Sequence, residues 1–206
     1  MAPTKVQITP PQLKTVEFHL KGTAPYVQAR FGAKAQQAMK DNMLAGSQSR
    51  KGKAKPPRDF DADYAQAHHI SVEGWRGIPA SSFRSAIISA CRLVGFKMTL
   101  AKLSVFIEAD GFDAIDGVPL VKIEGEPERL EMVTRNANTQ PDIRVRPMWR
   151  EWSVRLLVTY DEAQFSREDV TNLLSRVGKQ VGIGEGRHDS KKSAGMGWGT
   201  FAITNQ

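Results

Sequence analysis

The sequence predicts an α+β fold, a four-stranded antiparallel sheet carrying two helices on one face. Three observations lead there. Apolar residues alternate with polar ones in separate stretches, clearest at Val16-Phe18-Leu20 and Leu103-Val105-Ile107, the period of half-buried strands. Two other stretches, Phe83 to Val94 and Val170 to Val181, repeat apolar residues three and four apart, as one face of a helix does. A short apolar run, Thr200 to Thr204, closes the chain.

Composition bounds the rest. The chain has 206 residues, 40% of them hydrophobic, enough for a real core rather than a disordered chain. We read residues 1–206 as a single domain with two insertions, 22–70 and 111–150. Twenty-nine Lys and Arg against 22 Asp and Glu give a formal charge of +7, which favours a polyanionic partner. Cys91 is the single cysteine. That excludes an internal disulfide framework and a multi-thiolate metal centre, and it suggests a reducing, cytoplasmic location. The N-terminus lacks an apolar signal core, and no run is apolar for the roughly eighteen residues a membrane helix needs. No cofactor is expected.

In chain order, Pro3, Pro10 and Pro11 mark an extended lead-in to the first strand. Residues 22–70 are irregular, except that Ala33 to Ala45 has helical spacing. Then come Arg50, Lys51, Lys53, Lys55 and Arg58 among prolines and glycine, with no acid. Such a run stays solvated, and it either forms a bare charged face or contacts nucleic acid. Asp59, Asp61 and Asp63 follow. Alternate acids could hold a divalent cation, or balance the basic run, which we prefer. His68 and His69 point to opposite faces of a strand and read as its beginning rather than as metal ligands.

Pro79 suits a first helical turn, with serines nearby to cap it. Phe83, Ile87, Ala90, Cys91 and Val94 form the apolar stripe, and Gly95 ends the helix. Cys91 on that stripe reads as a small buried hydrophobe. Ser81, Ser82 and Arg84 at the helix start could seat a phosphate; alternatively the serines only cap their own helix. A strand follows from Leu103. Short strands at Leu120–Ile123 and Leu130–Val133 come next, then Arg144, Arg146 and Trp149 interleaved on a hairpin. That interleaving suits base stacking with phosphate neutralisation; the alternative packs Trp149 on its own domain. Trp152 to Tyr160 is a strong strand. Ser166 and Asp169 resemble a capping box with aspartate in place of glutamate.

The last loop is the densest in glycine. Gly182, Gly184, Gly186, Gly195, Gly197 and Gly199 fall within eighteen residues, with Arg187, Lys191 and Lys192 among them. Backbone this free can approach a phosphate, or the segment is a plain connector.

With the insertions set aside, the order is strand, helix, strand, strand, helix, strand. This is the split βαβ, ferredoxin-like (RRM-like) βαββαβ arrangement, whose relatives hold single-stranded RNA on a sheet face or nearby loops. The glycine stretch resembles the C-terminal glycine loop of the repeat-associated mysterious protein (RAMP) superfamily of CRISPR systems. Ile78-Pro79-Ala80-Ser81-Ser82-Phe83-Arg84-Ser85 is similar to the helix start of that superfamily's backbone subunits, with Ala80 and Ser85 in place of two family glycines. The resemblance implies a ferredoxin-like palm, with residues 111–150 as an inserted thumb-like hairpin. It implies a single-stranded RNA-binding, guide-RNA (crRNA) backbone subunit that stacks head to tail with its own copies in a CRISPR ribonucleoprotein complex, alongside other subunits. Arg50, Lys51, Lys53, Lys55, Arg58, Ser81, Ser82, Arg84, Arg144, Arg146, Trp149, Gly184, Gly186, Arg187, Lys191, Lys192, Gly195 and Gly197 would then face RNA. Two other readings stand beside it. One is a metal-dependent RNA endonuclease using Asp59, Asp61 or Asp63, as some RAMP backbone subunits cleave with an acidic loop residue. The other is a viral or accessory relative that binds a protein complex.

Overall fold

The computed structural model describes residues 8–30, 37, 58–135, 141–190 and 194–204. The expected helix at 33–45, apart from helical Gln37, lies outside the described residues, as do Arg50, Lys51, Lys53, Lys55, Lys191 and Lys192.

The fold is mixed α+β with antiparallel sheets. In chain order the elements are β1 (Leu13–Gly22), β2 (Tyr26–Val27), α1 (Phe60–Gln66), β3 (Gly77–Pro79), α2 (Ala80–Ala90), α3 (Met98–Ser104) and β4 (Val105–Ile107). They continue with β5 (Gly111–Phe112), β6 (Pro119–Lys122), β7 (Glu128–Arg135), β8 (Pro141–Trp149), β9 (Ser153–Asp161), α4 (Arg167–Arg176) and β10 (Phe201–Thr204).

The main sheet has the order β10-β1-β9-β4, and all its pairs are antiparallel. Register follows the alternation in the sequence. Val16, Phe18 and Leu20 on β1 lie opposite Val158, Leu156 and Val154 on β9, and all six are buried. A one-residue slip would turn this whole apolar face to water, so the pattern itself specifies the pairing. Phe83, Ile87 and Ala90 of α2 join Leu173 and Leu174 of α4 and this sheet face in one core cluster. Two small sheets, β2-β8-β7 and β3-β6-β5, flank it.

Helix ends follow their local chemistry. Ser166 Oγ accepts from the Asp169 backbone N–H at 3.1 Å, and Asp169 accepts in return from the Ser166 N–H at 2.9 Å. The aspartate thus completes the box expected of it. After α2 the chain tightens into a 3₁₀ turn at Cys91–Val94 and stops at Gly95, where φ is 68°. Cys91 is fully buried, and burial pushes its thiol pKa up.

Two expectations are corrected. The segment from Leu103 does not open a strand: residues 98–104 are helical, and β4 begins only where Val105 meets Tyr160 of β9. Helix α3 buries Ala101 and Ser104, three apart, and leaves Leu103 exposed. Alternation over three residues fits a helix end as well as a strand, and only the β9 partner separates them. Val94, placed on the buried stripe, is instead exposed beyond the helix end. Among the described residues, no helix is long and apolar enough to cross a membrane.

Candidate functional site

A cleft of about 650 Å³ opens between the start of α2, the segment around β2, and the glycine loop. Pro79, Ser81, Ser82 and Ser85 line one side, and Ile183, Gly184, Glu185, Arg187 and Asp189 line the other. Tyr26, Gln28 and His69 form its floor. Another hollow of about 670 Å³ lies between Val94, Phe96, Phe165, Leu173 and Arg176. It gathers fewer hydroxyls and charges, so the first is the candidate site.

The α2 wall is a bare helix start. Pro79 is the N-cap and supplies no side-chain bond, which corrects the expectation that the serines cap their own helix. The hydroxyls of Ser81, Ser82 and Ser85 have no partner among the described residues and face the cleft. Uncapped N–H groups and the positive end of the helix dipole favour an anion here.

Arg84 belongs elsewhere. Its guanidinium donates to the carbonyl of Val105 at 3.0 Å and to that of Lys102, and it lies over the Phe106 ring. It ties α3 and β4 to α2 instead of facing the cleft; two positions on from Ser82, it leaves the helix on roughly the opposite side from that serine.

The opposite wall is a tightly folded loop, not a connector. The N–H groups of Ile183, Glu185, Met196 and Gly199 donate to Gly199, Val27, Gly186 and Pro25 carbonyls at 2.7–3.0 Å. Gly184 and Gly197 both have left-handed backbone, φ 79° and 78°. They differ in space. A Cβ at Gly184 would sit 2.6 Å from Tyr26 Cε2 and from the Val27 carbonyl oxygen, whereas one at Gly197 would meet only His188 at 3.7 Å. Gly186 and Gly195 are also backed by their own chain, Trp198 and the Arg187 carbonyl. Gly184→Ala should therefore cost about 2–4 kcal/mol, from strain plus overpacking, and Gly197→Ala only about 1–2 kcal/mol from strain. Urea unfolding of the two variants measures the difference; equal losses would place Gly184 away from Tyr26.

Arginines from two elements, β8 and the turn after α2, meet acids of this loop. Glu185 accepts from Arg144 Nη1 at 3.0 Å and from Arg146 Nε at 2.9 Å, both on β8. Asp189 accepts from Arg92 at 2.7 Å and from the Ser89 hydroxyl. The Ser89 bond, then the Arg92 hydrogen bond and charge, hold the Asp189 carboxyl below the usual range despite its partial burial. Arg187 donates to the Gly184 carbonyl at 3.0 Å.

Trp149 does not offer its ring to bases. It is fully buried, packed on Tyr26 and His68, and its indole N–H donates to the Gly125 carbonyl at 3.2 Å. The alternation of β8 turns Val145 and Trp149 inward together and Arg144 and Arg146 along a more open rim. Burial, then the charge of Arg76, pushes the His68 pKa down to about 4.

The three aspartates are engaged separately. Asp59 caps α1 by accepting from the N–H groups of Asp61 and Ala62. Asp63 pairs with Arg58 at 2.6 Å, and Asp61 pairs with Arg129. Arg58 also reaches Asp142 at 2.8 Å. The acids therefore share no cation position, and of the three only Asp63 balances a residue of the basic run, Arg58.

A buried network beside the cleft had no signature in the sequence. Arg30 donates to Asp113 at 3.0 Å and to Asp116 at 2.9 Å, and His69 Nδ1 lies 2.8 Å from the other Asp113 oxygen. His69, Asp113 and Asp116 come close enough to hold a metal ion, but the Arg30 guanidinium already supplies the positive charge between the acids. Burial raises the Asp116 carboxyl, yet the Arg30 and Val118 hydrogen bonds outweigh it and hold it low. The residues come from positions 30, 69 and 113–116, so no local spacing could show them together. Gln28 links this network to the fold, donating to Tyr26 Oη and the Gly77 carbonyl and accepting from the His69 N–H.

The sequence matches no protein-family model, and a search of curated proteins finds no match.

Proposed function

We propose that this protein is a non-catalytic, single-stranded RNA-binding subunit of the guide-RNA backbone type. The observation that carries the reading is the cleft, where an uncapped helix start with free serine hydroxyls faces the glycine loop. A helix start of this kind suits a phosphate, and the +7 chain charge favours a polyanion. The order β10-β1-β9-β4, with helices between its strands, supports a ferredoxin-like palm. On this reading β5 to β8, lying in the chain between β4 and β9, include the thumb-like insertion. Copies of the chain would bind head to tail, as a non-closing heterologous contact requires, within a CRISPR-type ribonucleoprotein complex. Separately engaged Asp59, Asp61 and Asp63 lend the endonuclease reading no support.

Filter binding of single-stranded RNA across a salt series tests the proposal. Affinity should fall linearly with salt on logarithmic axes. Ser81→Asp with Ser82→Asp should weaken it by about tenfold or more while preserving the fold, because acids at a helix start repel phosphate but stabilise the helix. Absence of affinity at low salt overturns the reading.

One observation favours a protein-interaction module instead. Val72, Phe112 and Ile115 are exposed at 75%, 57% and 67% on adjoining backbone segments, beside Ile70. An apolar patch of this kind suits a protein surface. Purification free of nucleic acid, read from the absorbance ratio, would support that reading over RNA binding.

A further inference from the structure

The cleft is closed electrostatically by its own loop. Four charged residues line it, Arg92, Arg187, Glu185 and Asp189, two of each sign. Behind Glu185 stand Arg144 and Arg146, both paired to it. A groove built only to attract phosphate would leave its guanidinium groups open to solvent. Here the glycine loop delivers a carboxylate to the arginines of β8 and another to the arginine that follows α2.

We propose that Glu185 and Asp189 are built-in phosphate surrogates, an autoinhibitory contact that a nucleic-acid backbone must displace. The proposal rests on the RNA reading for the identity of the polyanion. A carboxylate and a phosphodiester each carry one negative charge and accept hydrogen bonds from guanidinium in the same manner. Glu185 bridges two guanidinium groups with its two oxygens, as one phosphate would. The Glu185 side chain is 18% exposed, Arg146 20% and Arg144 34%, so the pairs are partly desolvated but open at one edge for exchange. The Glu185 N–H is held by Val27, so the side chain, rather than the loop, must turn away. When it does, both arginines lose their shortest carboxylate contact together, leaving Arg144 a 3.8 Å contact with Asp142 and Arg146 a bond to the Val145 carbonyl at 3.0 Å.

Two consequences follow from population arithmetic. Observed affinity is the intrinsic affinity reduced by the fraction of molecules whose arginines are free. Substitution of Arg144 or Arg146 should then matter little while Glu185 occupies them, and much more once it is neutralised. The surrogate also selects against weak or isolated anions, because only a chain of phosphates repays the two displaced carboxylates.

Glu185→Gln preserves shape and removes the charge. The experiment measures binding of a single-stranded RNA oligonucleotide and of inorganic tripolyphosphate to the full chain, with thermal melts as a fold control. Glu185→Gln should tighten both ligands by about tenfold, and the RNA salt dependence should steepen by about one released counterion or more. Arg144→Gln with Arg146→Gln should weaken RNA binding several-fold more in the Glu185→Gln background than in the wild type. Tighter tripolyphosphate without RNA binding supports the surrogate and overturns the RNA reading. RNA bound equally by wild type and Glu185→Gln, with no dependence on the arginines in either background, overturns the surrogate and leaves the RNA reading standing. If Glu185→Gln fails to fold, Asp189→Asn, alone and combined with Arg92→Gln, carries the same test at the second position, and equal affinity of the wild type, Asp189→Asn and the double variant overturns the proposal.

Discussion

Trp149→Ala should lower stability by about 3–5 kcal/mol, the range for removing a fully buried large aromatic side chain. Trp149 has 0% exposure. Its ring lies 5.6 Å from Tyr26 and 5.9 Å from His68, centroid to centroid. Truncation removes those contacts, opens a cavity beneath β2 and α1, and leaves the Gly125 carbonyl without its indole donor. Trp149→Phe retains most of the apolar volume and loses the hydrogen bond, so it should cost much less than the alanine variant. Chemical denaturation followed by circular dichroism measures both. A Trp149→Ala protein of wild-type stability that had lost RNA affinity would instead put the indole on a ligand.

Asp113→Ala should be comparably damaging, about 3–5 kcal/mol, because it leaves a buried charge without its main partner. The Asp113 side chain has 0% exposure and that of Arg30 6%. Asp113 also accepts from the backbone N–H groups of Ile115 at 2.8 Å and Asp116 at 3.3 Å, shaping the turn between β5 and β6. Arg30 would retain Asp116 and the His68 carbonyl, while its Nε is already buried without a partner among the described residues. The penalty comes from a buried guanidinium left with one carboxylate instead of two, so Arg30→Met added to Asp113→Asn should be less destabilising than the sum of the two single changes. Additive losses in denaturant would show that Arg30 and Asp113 act independently. The cleft floor shares His69 and Gln28 with this network, so the same variants should also loosen the site.

The parts legible in the sequence are those governed by neighbours along the chain. Val16, Phe18 and Leu20 announce a strand because alternate residues share a face. Val170, Leu173 and Leu174 announce a helix by their spacing, and Ser166 with Asp169 marks its start. Gly95 marks an end for the same local reason. The short stretch at 103–107 failed because three alternating residues do not distinguish a helix terminus from a strand.

The candidate site was half legible. Ser81, Ser82, Gly184 and Arg187 do meet across one cleft. Arg84, Arg144, Arg146 and Trp149 keep the residue types that suggested nucleic-acid contact, yet each has a protein partner. Trp149 is buried by the alternation of β8, and Arg84 is held by carbonyls of α3 and β4.

The sequence by itself determined the α+β class, the apolar faces of β1, β9, α2 and α4, and the cap of α4, since each depends on a period or a residue's own backbone preference. Only the tertiary structure decided which charges meet. Glu185 reaches arginines 39 and 41 positions away, and Arg30 reaches Asp113 across 83. Charge pairing depends on distance in space and on exclusion of water, and neither is written in the spacing of residues along a chain.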